Sequence, residues 1–273
     1  MSHRNLAPIE QPGFDRDRVV VISDWQDLRK ILDLRILAVI LLAKQRPAWV
    51  EELASAVSSA SFVVPRTILA NATPEEVSDS VAKRLEDSPL SPGARQALRE
   101  DMELLVHHCG ELTGSKRFRF RFFTDTPNCR CSYHVDAVPP RAPTTALIRV
   151  YCGAPTEFVI PSNLTCWEDF YSYVFRRDQQ VKAIATARQS GDSAAEAVAS
   201  AKLSKLENSP PFLIQSDAPP QTVPTGALVA CKFVDSYYLW GSTHVHARSA
   251  RGWIHRSPMT GDPRFVATVN AVA

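Results

Sequence analysis

The chain has 273 residues, 45% hydrophobic and 22% charged, with a formal net charge of +2. This reads as an ordinary globular composition, and so small a charge argues against nucleic acid or a membrane surface as partner. The longest apolar run, Ile36 to Ala43, is eight residues, against the ~20 of a membrane span; with no apolar leader at the start and six scattered cysteines, a cytoplasmic protein with reduced thiols is expected.

Residues 1–18 lack periodicity and read as a surface arm. "DLRILAVILLA" then predicts a buried strand, and "PAWVEELASAVSSA" a helix with Pro47 near its start. After an extended "SFVVPRTILA", Thr73 caps a helix that Pro74 opens and whose first turn is acidic. Ser91 caps the next, "SPGARQALREDMELLVHHCGEL". Residues 19–115 are therefore expected to be mainly helical and packed on the part that follows, 116–273.

The pattern changes at Lys116. "KRFRFRFF" alternates with the period of a half-buried strand, which sends Arg117, Arg119 and Arg121 to solvent. The same alternation can clamp single-stranded nucleic acid, a reading that the near-neutral charge opposes. Further strand-like pieces are "CRCSYHVD", "TTALIRVYC", "TEFVI", "GALVACKFV", "GWIHRSP" and "RFVATVNAV", with a helical insertion near 166–208. Short strands punctuated by Pro and Gly predict an α+β fold. Its core is a double-stranded β-helix (jelly-roll, cupin-like), with a helical N-terminal half and a helical insertion, in one structural domain overall.

Chemistry concentrates in "CRCSYHVDAVPPR". On a strand, His134 and Asp136 point the same way and can bind one metal ion, and "GWIHRSP" offers His255 as a third ligand. Two histidines and a carboxylate form the facial triad of non-haem iron(II) oxygenases. Arg264 stands nine residues after His255 and opens the last strand. Its fork of donors suits a carboxylate. This His–Arg spacing resembles that of 2-oxoglutarate-dependent oxygenases, which implies Fe(II) and 2-oxoglutarate as cofactors and Arg264 as the co-substrate anchor. Tyr151 is a second candidate for the co-substrate, and Arg141 and Arg149 for a substrate carboxylate. Arg256 falls on the opposite face from His255, where Glu157 is a partner for it. Strand parity turns Cys129 and Cys131 away from the metal, and His244 and His246 read as solvent-facing.

The ordered pieces "YHVDAVPPR", "VYCGAPTEF" and "IHRSP" also resemble the family of unknown function numbered 1826. Its pattern runs Phe-His-x-Asp, Thr-Tyr-x-Gly-x-Gly-Thr-Glu-Trp and His-Arg-Ser-Pro. His134, Asp136, Arg141, Tyr151, Gly153, Thr156, Glu157, His255, Arg256, Ser257 and Pro258 fall on matching positions, whereas Tyr133, Val150, Pro155 and Phe158 depart from it. The resemblance implies a divergent member and a link to zinc homeostasis, and it lends no reaction. The expected function is an oxygenase acting on an amino acid or other small carboxylate. The alternatives are a zinc-binding protein without turnover and an iron oxygenase that needs no keto acid. Nothing in the sequence sets an oligomeric state.

Overall fold

A computed structural model describes residues 18–43, 45–126, 132–237 and 251–272. Of the expected 1–18 arm, residues 1–17 lie outside the described residues, as do Cys129, Cys131, His244 and His246, while Arg18 already belongs to the first strand. Along the chain run β1 (Arg18–Ile22), β2 (Ile36–Leu41), α1 (Ala48–Ser58), β3 (Thr67–Ala72), α2 (Pro74–Leu85), α3 (Pro92–Thr113) and β4 (Phe118–Asp125). Then come β5 (Ala137–Val138), β6 (Thr145–Cys152), β7 (Glu157–Phe158), α4 (Trp167–Ser190) and α5 (Ser193–Asn208). The chain ends with β8 (Gln221–Thr222), β9 (Leu228–Lys232), β10 (Val234–Asp235), β11 (His255–Arg256) and β12 (Arg264–Ala271). No helix among the described residues is long and apolar enough to cross a membrane.

The fold is mixed α/β, built on a seven-stranded sheet of order β1-β2-β9-β6-β12-β4-β3. Only β1 and β2 pair in parallel there. A three-stranded sheet, β11-β7-β8, and a two-stranded one, β10-β5, accompany it. The N-terminal half thus supplies three strands as well as helices. The β-branched run of β1, "RVVVI", carries a strand signal that hydrophobic patterning from Asp33 onward misses.

Helix ends follow their capping residues. Thr73 and Glu76 form a reciprocal capping box on α2, and Ser91 accepts from Ala94 on α3. The insertion is two helices, because Gly191 ends α4 at φ 70° and Asp192 caps α5 through the Ala195 amide at 2.9 Å.

The large sheet separates two cores. On one face Phe118, Phe120 and Phe122 of β4 pack with Val77, Leu98 and Met102 of the helices. Burying each ring contributes about 1.5–3 kcal/mol. On the other face Ile148, Val229, Cys231 and Val266 meet Phe158 and Trp253 from the smaller sheet side. A third cluster, with Trp167, Phe170 and Tyr173 of α4, packs on Tyr133, Phe212 and Ile254, so the insertion buttresses the segments that carry the two candidate histidines. Arg121 corrects an expectation: it is half-buried, with Nε donating to Thr268 Oγ1 at 2.8 Å. The reason is that β4 lies inside the sheet, flanked by β12 and β3.

Candidate metal centre

His134 and His255 face each other across an antiparallel bridge. Each backbone amide donates to the other residue's carbonyl, at 2.9 and 3.0 Å. This pairing sets the side chains next to each other, with ring centroids 4.5 Å apart. The Asp136 carbonyl accepts from Val234 at 2.9 Å, pinning the chain just past His134. The structure therefore brings His134, Asp136 and His255 together, with one potential ligand atom from each lying within 4.8 Å of the others.

The backbone also settles which ring nitrogen is available. His134 Nδ1 sits 2.8 Å from the Ser132 carbonyl, and His255 Nδ1 3.0 Å from that of Trp253. A carbonyl only accepts, so each Nδ1 carries a proton, and in the neutral ring Nε2 is the nitrogen left with a lone pair. Both Nε2 atoms turn to one carboxylate. His134 Nε2 is 4.0 Å from Asp136 Oδ1, and His255 Nε2 is 3.6 Å from Oδ2. Ligands bound at ~2.0–2.2 Å to one ion stand roughly 3–3.5 Å apart, so modest side-chain rotation closes the set. The donors fit a divalent transition metal: two imidazoles and a carboxylate, with no thiolate among them. His255 is nearly buried at 9% side-chain exposure, while His134 and Asp136 keep 35% and 26%, which leaves an accessible side among the described residues.

Electrostatics favour the ligand-ready forms. Burial, reinforced by the neighbouring His255, pushes His134 down to about 4. Burial alone would raise Asp136. The pull of the neighbouring His255, then of His134 and the Arg121 guanidinium, outweighs it and holds the carboxyl well below the usual carboxylate range. A proton therefore competes for His134 only near pH 4. Two solvated imidazoles of pKa ~6.5 would lose about a hundredfold in metal affinity between pH 7.5 and 5.5. Here His134 adds no such loss over that interval, so the fall in affinity is expected to stay well below a hundredfold, as a zinc or cobalt(II) titration against a competing chelator at the two pH values would read.

The other residues singled out in the sequence divide clearly. Arg264 is buried and bonds Asp125 at 3.2 Å, Thr156 at 3.4 Å and Ser257, the residue two beyond His255. Arg256 pairs with Glu157 at 2.6 Å, as parity predicted, and lies over the Tyr133 ring at 4.2 Å. Tyr151 and Arg149 are not brought to the triad. Ala146, Ile148 and Val150 of β6 occupy the triad's side of the sheet, so alternation turns Arg149 and Tyr151 toward the helices. There Asp101 of α3 accepts from Arg149 and, at 2.7 Å, from the Tyr151 hydroxyl. Arg141 is an exposed turn residue at φ 67°, its amide bound to Asp235 at 2.9 Å.

Two residues at the centre were missed. Arg121 acts on Asp136 through its charge. Trp253 is 1% exposed and stacks on His255 with centroids 4.5 Å apart and planes at 15°. Its buried indole N–H has no acceptor among the described residues, a donor that a bound molecule can satisfy. Its position two residues before His255 was the available signal, since alternate strand residues share a face.

Comparison with protein families matches residues 23–269 to a protein of unknown function, DUF1826. The chain belongs to this family. A search among curated proteins returns no match. The DUF1826 match takes in β2 through most of β12 and all three candidate ligands. It also extends well into the helical half, which the sequence motifs by themselves did not reach.

Proposed function

We propose that the chain is a mononuclear non-haem iron(II) oxygenase that uses 2-oxoglutarate to oxidise a small molecule, an amino acid or other small carboxylate. The observation that carries this reading is the convergence of two Nε2 lone pairs and one ionised carboxylate on a single point. Iron(II), when bound, supplies open coordination positions at which a keto acid and oxygen meet. The chain's own residues do the rest. Ser132 and Trp253 hold the imidazole tautomers, Asp136 stays charged, and Trp253 keeps water from one side of His255. Two neutral imidazoles and one carboxylate around a divalent ion leave one net positive charge, which favours an anionic co-substrate.

The strand pairings support a double-stranded β-helix around the site. Take eight strands in chain order: β4, the His134 segment, β6, β7, β8, β9, β11 and β12. The first pairs with the eighth, the second with the seventh, the third with the sixth and the fourth with the fifth. That is one long antiparallel ribbon. Pairing of β6 with β12 and of β7 with β11 is the further pairing that such a roll requires. Arg264, at the start of the eighth strand and held by Asp125, Thr156 and Ser257, is the oriented guanidinium that this reading assigns to the keto-acid carboxylate.

Titrating metal-free protein anaerobically with iron(II) and then 2-oxoglutarate should produce a weak visible charge-transfer band. Arg264→Ala should raise the 2-oxoglutarate concentration needed for that band by roughly 100-fold, about 2.7 kcal/mol, while leaving iron binding in place. Absence of the band in the unaltered protein, with tight zinc binding instead, would replace the oxygenase by a zinc-holding protein.

A further inference from the structure

On the opposite side of the large sheet from the candidate metal centre, a cavity of about 500 Å³ opens between β2, β6, α1 and α3. This lies within the range of small-molecule sites, roughly 300–1,000 Å³. We infer that this cavity is a second ligand site, built for a planar aromatic molecule bearing one carboxylate. The inference stands apart from the metal centre and does not rest on the oxygenase reading.

The lining supplies both halves of that recognition. Trp25 and Trp49 are half-buried and line the cavity together with Leu104 of α3. The Trp49 and Tyr151 rings are 6.0 Å apart. Flat, rigid walls of this kind match a flat ring and lose little side-chain entropy on binding it. Leu104, which lines the cavity, is 46% exposed, an apolar side chain that its own fold leaves half uncovered.

The polar element is the Arg149–Asp101–Tyr151 cluster. Asp101 accepts from both neighbours, and Arg149 Nε donates to the Gly226 carbonyl at 3.2 Å. These bonds fix the guanidinium plane, yet Arg149 still lines the cavity and keeps 20% side-chain exposure. A cation already oriented and partly shielded from water binds a carboxylate more strongly than a mobile surface arginine does. Arg46, at the same cavity, adds a second positive group near the rim, held by Glu51 at 2.9 Å. Asp24 and Asp101 also line the cavity, so the four charges balance. That balance disfavours polyanions such as nucleotides and leaves recognition of a single carboxylate to the oriented donors of Arg149.

The test uses the full chain and two probes of the same shape, 2-naphthoate and the neutral 2-naphthalenemethanol, read by calorimetry. The expected result is micromolar binding of 2-naphthoate at one site, with the neutral probe roughly tenfold weaker. Leu104→Trp, which fills the cavity from an exposed position, should abolish binding while leaving the circular-dichroism melt unchanged. His255→Ala should bind 2-naphthoate as the unaltered chain does, which separates this cavity from the metal centre. Equal binding of both probes, no binding of either, or binding that survives Leu104→Trp would each overturn the assignment.

Discussion

Replacing His255 by alanine is expected to lower metal affinity by about a thousandfold, roughly 4 kcal/mol. Removal of a residue that merely orients a ligand already costs about 10–100-fold, and His255 is itself the most buried of the three candidate ligands. The change removes the Nε2 donor and also the ring stacked on Trp253. A companion, Asp136→Asn, keeps the shape and removes only the charge. Its affinity should fall by a similar amount, because the remaining two imidazoles are neutral and nothing offsets the ion. The measurement is a competitive titration with zinc or cobalt(II) against a chelator of known strength, alongside a melting curve for each variant. Unchanged affinity in both folded variants would mean that the metal sits elsewhere and that the three side chains form only a hydrogen-bonded cluster.

The second large effect concerns stability. Gly153 lies at φ 81°, and a Cβ there would stand 2.0 Å from the Pro263 carbonyl oxygen and 2.6 Å from Arg264 Cα. Both contacts are with backbone, so no side-chain rotation relieves them. Left-handed strain costs about 1–2 kcal/mol and overpacking typically 1–3, so Gly153→Ala is expected to destabilise the fold by about 3 kcal/mol. For a chain of this size that lowers Tm by roughly 6–12 °C. The close approach joins the end of β6 to the start of β12, where Ala154 also donates to the Asp262 carbonyl at 3.2 Å. The variant should therefore loosen Arg264 as well as the sheet. A Tm within 2 °C of the unaltered chain would show that this turn shifts without cost.

The sequence by itself determined the local ends and the spacings. Thr73, Pro74 and Ser91 marked helix starts because their side chains or rings act within one turn of chain. The His-x-Asp spacing placed His134 and Asp136 on one side, and parity sent Arg256 to Glu157. Gly153 stood at a motif position, although the backbone contact that demands a glycine there is visible only in three dimensions.

Alternation states which residues share a face; it does not state which face meets which neighbour. Tyr151 was assigned to the co-substrate and Arg149 to a substrate carboxylate, whereas both face α3, because only Asp101 and its helix decide where that face of β6 looks. Arg121 was read as solvent-facing, and its partial burial depends on β12 and β3 flanking β4, strands distant in sequence. The meeting of His255 with His134 is of the same kind. Hydrogen bonds between segments 121 residues apart (255 − 134) make it, and those bonds, with the carbonyls of Ser132 and Trp253, decide which nitrogen each ring offers. Short-range chemistry was written in the residue types. Pairing between distant strands, which brings those residues together, was left to the tertiary structure.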